Sequence, residues 1–273
     1  MKPSRSHLVV IPSYNSGPRL AETVAEALAC WRPVWVVVDG STDGSDATLA
    51  PLGLQESDLR VLRLARNCGK GAAVLAGLKA AAAAGFNRAL VMDADGQHPA
   101  DRIALFMQTA AANPDAMVLG VPQFGPEAPA SRRMGRLAGN WWANVETLWG
   151  GVQDSLFGFR VYPIPELLAI FHGRSAGHGY DFDTVAAVRL FWAGVRPINI
   201  PVPVRYFDAA EGGISHFRYW RDNMLLVRRH TRMVLEMVVR WPAIWRHRQR
   251  VLSHESNGAP STLCQRRRRK TSL

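Results

Sequence analysis

The sequence predicts an α/β fold, a mostly parallel central sheet with helices on both faces. Two patterns carry that expectation. Over the first 121 residues, short β-branched runs alternate with Ala- and Leu-rich stretches of helical spacing. Polar residues then gather just past the strands, where parallel sheets bind their ligands. Bulk agrees: 273 residues, 48% of them hydrophobic, suffice for one large core or two small ones and exclude wholesale disorder.

The runs His7–Pro12, Val34–Asp39, Leu59–Leu64, Ala89–Asp93 and Ala116–Val121 are short and apolar, as strands covered on both faces are. Between them, Pro18–Trp31, Ser45–Leu52, Gly69–Gly85 and Pro99–Asn113 read as helices whose starts carry Ser, Pro or Gly. The strand ends that matter are therefore Pro12–Asn15, Asp39–Asp43, Arg66–Gly71 and Asp93–His98. Further on, Ser131–Trp149 reads as a helix and Gln153–Tyr162 holds the compact segment FGFR. Asp181–Trp192 reads as a helix, Val195–Val204 as a strand and Phe217–Arg240 as a long helix. These elements divide the chain into a body over 1–216, a basic amphipathic helical region over 217–252 and a disordered basic tail over 253–273.

The net charge of +11 is unevenly placed. Phe217–Leu273 holds 14 bases against Asp222, Glu236 and Glu255, while the body is neutral. That asymmetry suggests a docking device for an anionic surface rather than a protein that binds nucleic acid throughout. In the long helix, Trp220, Met224, Val227, Val234, Val238 and Trp241 fall on one face, with arginines around it. Such a helix can lie in a membrane interface or pack on the body with its charges in water. Arg266–Lys270 would add attraction to an anionic leaflet. Cys30, Cys68 and Cys264 have no paired spacing, which reads as a reducing compartment without structural zinc. No apolar run reaches the length of a spanning helix, and a signal peptide is not expected.

The strongest local signal is LVMDADGQHP. Asp93 and Asp95 sit one residue apart at a strand's carboxyl end, and two such carboxylates can hold a hard divalent cation. Gln97 adds a neutral oxygen, or His98 a nitrogen. Mg²⁺ or Mn²⁺ suits the set, since these ions keep positions open for phosphate oxygens. The same residues would also make a solvated turn. In VVVDGSTDGS, Asp39 ends a strand where a carboxylate can accept hydrogen bonds from a base or ribose; an Asx turn with Ser45 capping the next helix is the plainer alternative. RNCGKGAAVLAGL lacks the spacing and hydroxyl of a Walker loop, and GxGxxG is absent, which disfavours kinases and dinucleotide-dependent dehydrogenases.

Taken in order, VVIPSYNSG, VVVDGSTDGS, NCGKGAAVLAGL and LVMDADGQHP resemble glycosyltransferase family 2 on a GT-A fold. The resemblance continues through VQDSLFGFRVYP, GYDFDTVAAVRLFWAG and IPVPVRYF. Within the family it looks most similar to the polyprenyl-phosphate sugar synthases and to soluble bacterial relatives that use lipid-linked acceptors. It implies an NDP-sugar donor, one divalent metal, and inversion at the anomeric carbon in a catalytic domain over 1–216. It also implies a lipid-linked or saccharide acceptor, met by a protein peripheral on the cytoplasmic face of the plasma membrane.

Carried over by position, Pro12 and Tyr14 match the nucleoside pocket, Asp39 the carboxylate that reads the base, and Arg66 a base or phosphate contact. Asp93 and Asp95 match the DxD, and Gln97 resembles an added metal ligand. Asp181 and Asp183 fall where relatives carry an acceptor-side acid. Two departures stand out: Val38 replaces the first of two acids usual before GS, and Ser215-His216 replaces a Ser-Lys.

Such chemistry needs positive charge on a leaving diphosphate, and a base only if the acceptor is a hydroxyl. Asp183 is the candidate base, with Asp181 second; both could simply be acids favoured at a helix start. Arg132, Arg133 and Arg136 could gather an acceptor phosphate or form a solvated helix face. Arg205, His216 and Arg218 could reach the donor diphosphate from a loop hinged at Gly212-Gly213. Arg160 reads as ordering the core. A sugar nucleotidyltransferase should open with a Gly-rich basic loop, which PSYNSGPRL is not. A nucleic-acid binder should carry a recognisable binding motif, and none is found.

Overall fold

The structure, a computed structural model, describes residues 2–124, 130–173, 181–204 and 219–258, with side chains over 2–124, 135–173, 181–204 and 228–254. The first half runs β1 (His7–Ser13), α1 (Arg19–Cys30), β2 (Val34–Asp39), a 3₁₀ turn into α2 (Ala50–Gln55), β3 (Leu59–Leu64), α3 (Lys70–Ala83), β4 (Arg88–Val91), α4 (Ile103–Ala112) and β5 (Ala116–Gln123). The second half adds α5 (Ala130–Glu146), β6 (Arg160–Pro163), α6 (Ile164–Phe171), α7 (Phe182–Trp192), β7 (Arg196–Pro203) and α8 (Tyr219–Gly258).

Among the described residues these strands form one sheet in the order β3-β2-β1-β4-β6-β5-β7. β1 to β4 are parallel, with Val9 opposite Val34, Val36 opposite Val61 and Val9 opposite Leu90. β6 enters antiparallel between β4 and β5, placing Arg160 beside Val91 and Leu119. β7 then pairs parallel with β5. This is the mostly parallel α/β sheet that the sequence predicts.

Every residue of β2 and β4 is buried, which explains their unbroken Val and Leu runs. β3 is an edge strand, with Arg60 and Arg63 exposed along it; charge on an edge discourages pairing with another chain. One core lies between the sheet and α3, α5, α6, α7 and α8, and the other between the sheet and α1 and α4. Alternate residues of β1 feed them: Leu8 and Val10 face the first, Val9 and Ile11 the second.

Three elements depart from expectation. Ser45–Leu52 is a 3₁₀ turn running into α2, with Pro51 near the start of the latter. β6 is too short to show a periodicity, and its strand bears a buried arginine. α8 continues to Gly258, so the first residues of the expected tail are helical. The expected apolar face is divided: Val234 packs against the core, Val238 and Trp241 face outward, and the buried contacts come from Met233, Met237, Ile244 and Val251. The side chains of Trp220, Met224 and Val227, and residues 259–273, lie outside the described residues. No helix among the described residues is long and apolar enough to cross a membrane.

Candidate active site

Because β1, β2, β3 and β4 run parallel, their carboxyl ends open on one edge of the sheet. The loops there are stitched together. The Asn15 N–H donates to Ser41 Oγ (3.1 Å), Thr42 N–H to Asn15 Oδ1 (2.8 Å) and Gly17 N–H to Asp43 Oδ2 (3.0 Å). Pro12 is buried within β1 opposite Val37, and Tyr14 stands exposed beyond it. Asp39 is buried, and each of its oxygens accepts a backbone N–H at 2.8 Å, from Cys68 and from Gly69. Its visible duty is therefore to anchor the Arg66–Gly69 loop, whereas a base-reading carboxylate was expected. Gly40 makes that anchoring possible: its φ is +64°, and a Cβ there would lie 2.4 Å from the Arg66 carbonyl carbon. Arg66 is exposed on the anchored loop.

The carboxylates of the DAD segment lie deeper. Asp93 Oδ1 meets Lys70 Nζ at 2.7 Å, and the same Nζ meets Asp183 Oδ2 at 2.7 Å. Burial disfavours the Lys70 charge, but Asp183 and Asp93 more than offset this and hold its pKa well above the usual lysine range. Burial likewise works against the Asp93 charge, yet Lys70 and His98 keep its pKa below normal. Among the described residues Asp95 forms no ion pair. Burial first, then the neighbouring Asp93 charge, push its pKa upward.

Asp95 Oδ1 accepts the Gln97 N–H (3.0 Å) across a turn that Gly96 makes at φ +75°. His98 is a prop rather than a ligand: its Nδ1 accepts the Asp93 N–H (2.9 Å), and its ring packs on Phe157 and Phe159. No group of three or more His, Cys, Asp and Glu side chains is arranged to hold a metal ion among the described residues. The fit to a divalent cation thus rests on two neighbouring carboxylates, one of them in no ion pair among the described residues, and on the oxygen of Gln97.

β6 completes the site from the other side. Its antiparallel entry brings Gly158 against the acidic cluster, where a Cβ would lie 2.8 Å from both Asp93 Oδ2 and Lys70 Nζ. Arg160 is fully buried; its Nη1 donates to the Asp183 carbonyl (2.6 Å) and its Nε to the Phe157 carbonyl (2.6 Å). The Tyr162 hydroxyl donates to Asp183 Oδ1 (3.3 Å). Asp183 is accordingly a buried, paired anchor, and its expected role as a free base does not match these contacts. Asp181 pairs with Arg229 of α8 at 2.8 Å. Arg136 donates to both oxygens of buried Asp154 at 2.8 Å, so it holds the segment leading into β6 where a free acceptor contact was expected. The side chains of Arg132 and Arg133, and residues Arg205, His216 and Arg218, lie outside the described residues.

Lys70, Gly158 and Tyr162 escaped the sequence reading. Lys70 was in plain view in GKG at a strand-to-helix junction, but its partners lie 23 and 113 residues away. Gly158 carried only the faint mark of a glycine between two phenylalanines.

Comparison with known proteins agrees with this layout. The Glycosyl transferase family 2 profile matches residues 8–162. The undecaprenyl-phosphate mannosyltransferase of Micrococcus luteus is 28% identical over 221 residues, 76% of this chain and 87% of that one. Two solved structures share the fold. Glucosyl-3-phosphoglycerate synthase from Mycobacterium tuberculosis, in complex with Mn²⁺, UDP and glucosyl-3-phosphoglycerate, aligns with a TM-score of 0.62 at 15% identity, over 86% of this chain and 80% of its own. A mannosyltransferase from Pyrobaculum calidifontis, in complex with GDP-Man and Mn²⁺, gives 0.59 at 17% identity, over 95% and 77%. With the parallel sheet, the loops at its carboxyl edge and a family match over more than half its length, the chain belongs to glycosyl transferase family 2 and is a glycosyltransferase of GT-A fold.

Proposed function

We propose that this enzyme moves a sugar, with inversion, from a nucleotide-diphosphate donor to a lipid-linked phosphate acceptor of the polyprenyl-phosphate kind. It would work peripherally at the cytoplasmic face of the plasma membrane. The observation that carries the reading is the Lys70 bridge between Asp93 and Asp183, beside an Asp95 that forms no ion pair among the described residues. Asp183 is buried, with Oδ2 on Lys70 and Oδ1 accepting from the Tyr162 hydroxyl, so neither of its oxygens is left open to reach an acceptor hydroxyl. A phosphate acceptor is already an anion and needs no base. The acceptor named for the Micrococcus luteus relative supports the same choice.

On this reading each group has a duty. The stitched loops around Tyr14, Asp39 and Arg66 form the nucleoside pocket. Asp95 and Asp93, with Gln97, would hold a divalent cation, Mg²⁺ or Mn²⁺, which when bound offsets charge on the leaving diphosphate. Mn²⁺ in both structural neighbours supports that assignment. Lys70 keeps Asp93 ionised, and Arg160 and Tyr162 fix Asp183 so that Lys70 stays in place. Attack by the acceptor oxygen on the anomeric carbon, with the diphosphate leaving from the opposite side, inverts that carbon.

The test pairs two measurements. Thermal shift with UDP, GDP, CDP and dTDP, with Mn²⁺ or with EDTA, should show one nucleotide stabilising the protein only when metal is present. Transfer from the matching nucleotide sugar should then label undecaprenyl phosphate and leave free saccharides unlabelled. Transfer to saccharides but not to the lipid phosphate would overturn the acceptor, and full turnover in EDTA would overturn the metal.

A further inference from the structure

α8 packs on the body through Met233, Met237, Ile244 and Val251, none more than 5% exposed. A second apolar stripe runs along its other side. Leu235, Val238, Trp241 and Trp245 follow one another at three, three and four residues, with Val239 beside them, and all five are 45–84% exposed. Isolated apolar residues on a surface need no explanation, but five within three turns do. Arginines border the stripe. Arg228, Arg232, Arg246 and Arg250 are exposed along one margin. On the other, the Arg248 guanidinium lies 5.2 Å from the centre of the Trp245 ring. Between Arg228 and His254 the helix carries seven arginines and a single acid, Glu236.

We infer that this outer face of α8 is a docking surface for an anionic lipid bilayer. The inference rests on the proposed reading only in supposing that the acceptor resides in a membrane. The helix would lie in the plane of the headgroups, its Leu, Val and Trp side chains among the upper acyl chains and its arginines reaching back to lipid phosphates. Tryptophan suits that depth, with an apolar ring and a polar N–H. Charge decides against the other occupants. A second copy of this face, or the basic run Arg266–Lys270, would set arginine against arginine, whereas anionic headgroups complement them. Two ion pairs tie the docked helix to the body: Arg229 with Asp181 and Arg189 with Glu236. The carboxyl edge of the sheet would thus be carried along with the helix.

The experiment is co-sedimentation of the full-length protein with vesicles of phosphatidylcholine alone, or of phosphatidylcholine and phosphatidylglycerol in equal parts, at low and high salt. Binding should favour the anionic vesicles and weaken as salt rises. The double variant Trp241→Ser/Trp245→Ser should bind those vesicles about tenfold more weakly or worse, having lost two interfacial aromatic anchors. Leu54→Ser, at another exposed apolar residue, should bind as the parent does. Arg246→Gln/Arg250→Gln should reduce binding and flatten its salt dependence. An unchanged melting temperature in each variant shows that the inner face still packs. Equal binding by the Trp variant and the parent would overturn the proposal. So would self-association that the Trp variant abolishes without any vesicle binding. Nucleotide-dependent thermal shift, run on the same proteins, separates the two readings: intact donor binding without vesicle binding removes the docking surface alone, and the reverse removes the proposed donor alone.

Discussion

On the β1–β2–β3 side of the sheet, neutral backbone amides fasten the site; on the β4–β6 side, buried charges do. Asp39 takes the Cys68 and Gly69 amides, and Asn15 takes that of Thr42. Opposite them, Lys70, Asp93, Asp183, Arg160, Arg136 and Asp154 form a chain of ion pairs and charge-assisted bonds. Under the proposed function the difference would follow from what each side holds. A nucleoside is recognised by shape and neutral hydrogen bonds, so a pocket of amides serves. A diphosphate and a phosphate acceptor concentrate negative charge, and a region that stabilises it must carry positive groups at fixed positions before substrate arrives. Buried ion pairs are costly to desolvate and more costly to break singly. The second side should therefore fail more severely than the first when one member is removed.

The largest effect should come from Asp95→Ala, which removes a carboxylate that belongs to no ion pair among the described residues. It should lower kcat about 10³-fold, as loss of an electrostatic stabiliser typically does, and leave the melting temperature unchanged or slightly raised. Retained activity would detach the acidic pair from the chemistry. Lys70→Met tests the architecture instead. It strands two carboxylates, and should cost about 3–5 kcal/mol in denaturant unfolding, the range for breaking one partner of a buried pair. Adding Asp183→Asn should recover part of that loss in a double-mutant cycle. Independent, additive losses would mean that the bridge is not an energetic unit. On the other side, Asp39→Ala should cost about 1–3 kcal/mol, the penalty for one fully unmet group, because the two amides it frees, of Cys68 and Gly69, are half-buried and within reach of water. It should also raise the donor KM more than it lowers kcat, since the loop it anchors faces a part of the donor that does not react. A loss on Asp39→Ala as great as on Lys70→Met would erase the contrast between the sides.

That contrast also explains what could be read from the sequence. β2 and β3 match their expected bounds, and β1 is one residue longer, because short apolar runs, interrupted in β3 by Arg60 and Arg63, leave little choice. β4 begins and ends earlier than expected: Met92 still donates its N–H to the Val10 carbonyl, and from Asp93 on the chain forms the acidic corner. The candidate residues at the strand ends were legible for the same reason: parallel topology fixes where they emerge. The partners of Lys70 were not, since a fold must first bring Asp183 back across 113 residues. Nor was the packing face of α8. That helix has two apolar stripes, and periodicity detects a stripe without saying which one meets the body. Met233 and Met237 do so, while Val238 and Trp241 do not.

The smallest effect concerns pH and rests on two histidines outside the acidic corner, His7 and His247. His7 opens β1, and burial first, then Arg88, lowers its pKa. His247 sits on the inward face of α8 against the Phe191 ring, with its Nε2 3.3 Å from the Val195 carbonyl; burial lowers its pKa as well, and Arg250 adds to this against the opposing pull of that carbonyl bond and Asp115. Above the ordinary histidine pKa of about 6.5, neither carries a proton in the folded or the unfolded chain, and neither affects stability. As pH falls through that value, the unfolded chain takes up protons that the folded one resists, so stability declines. The decline ends once pH passes the lowered folded values. Each histidine contributes at most about 1.4 kcal/mol per pH unit within that window. Urea unfolding should therefore show lower stability at about pH 5.5 than at about pH 7.5. His247→Gln should flatten the slope while retaining a side chain able to donate to Val195, and His7→Gln should flatten it further. A slope unchanged in both variants would place the acid sensitivity elsewhere, and a response to His7→Gln alone would leave α8 out of the pH dependence.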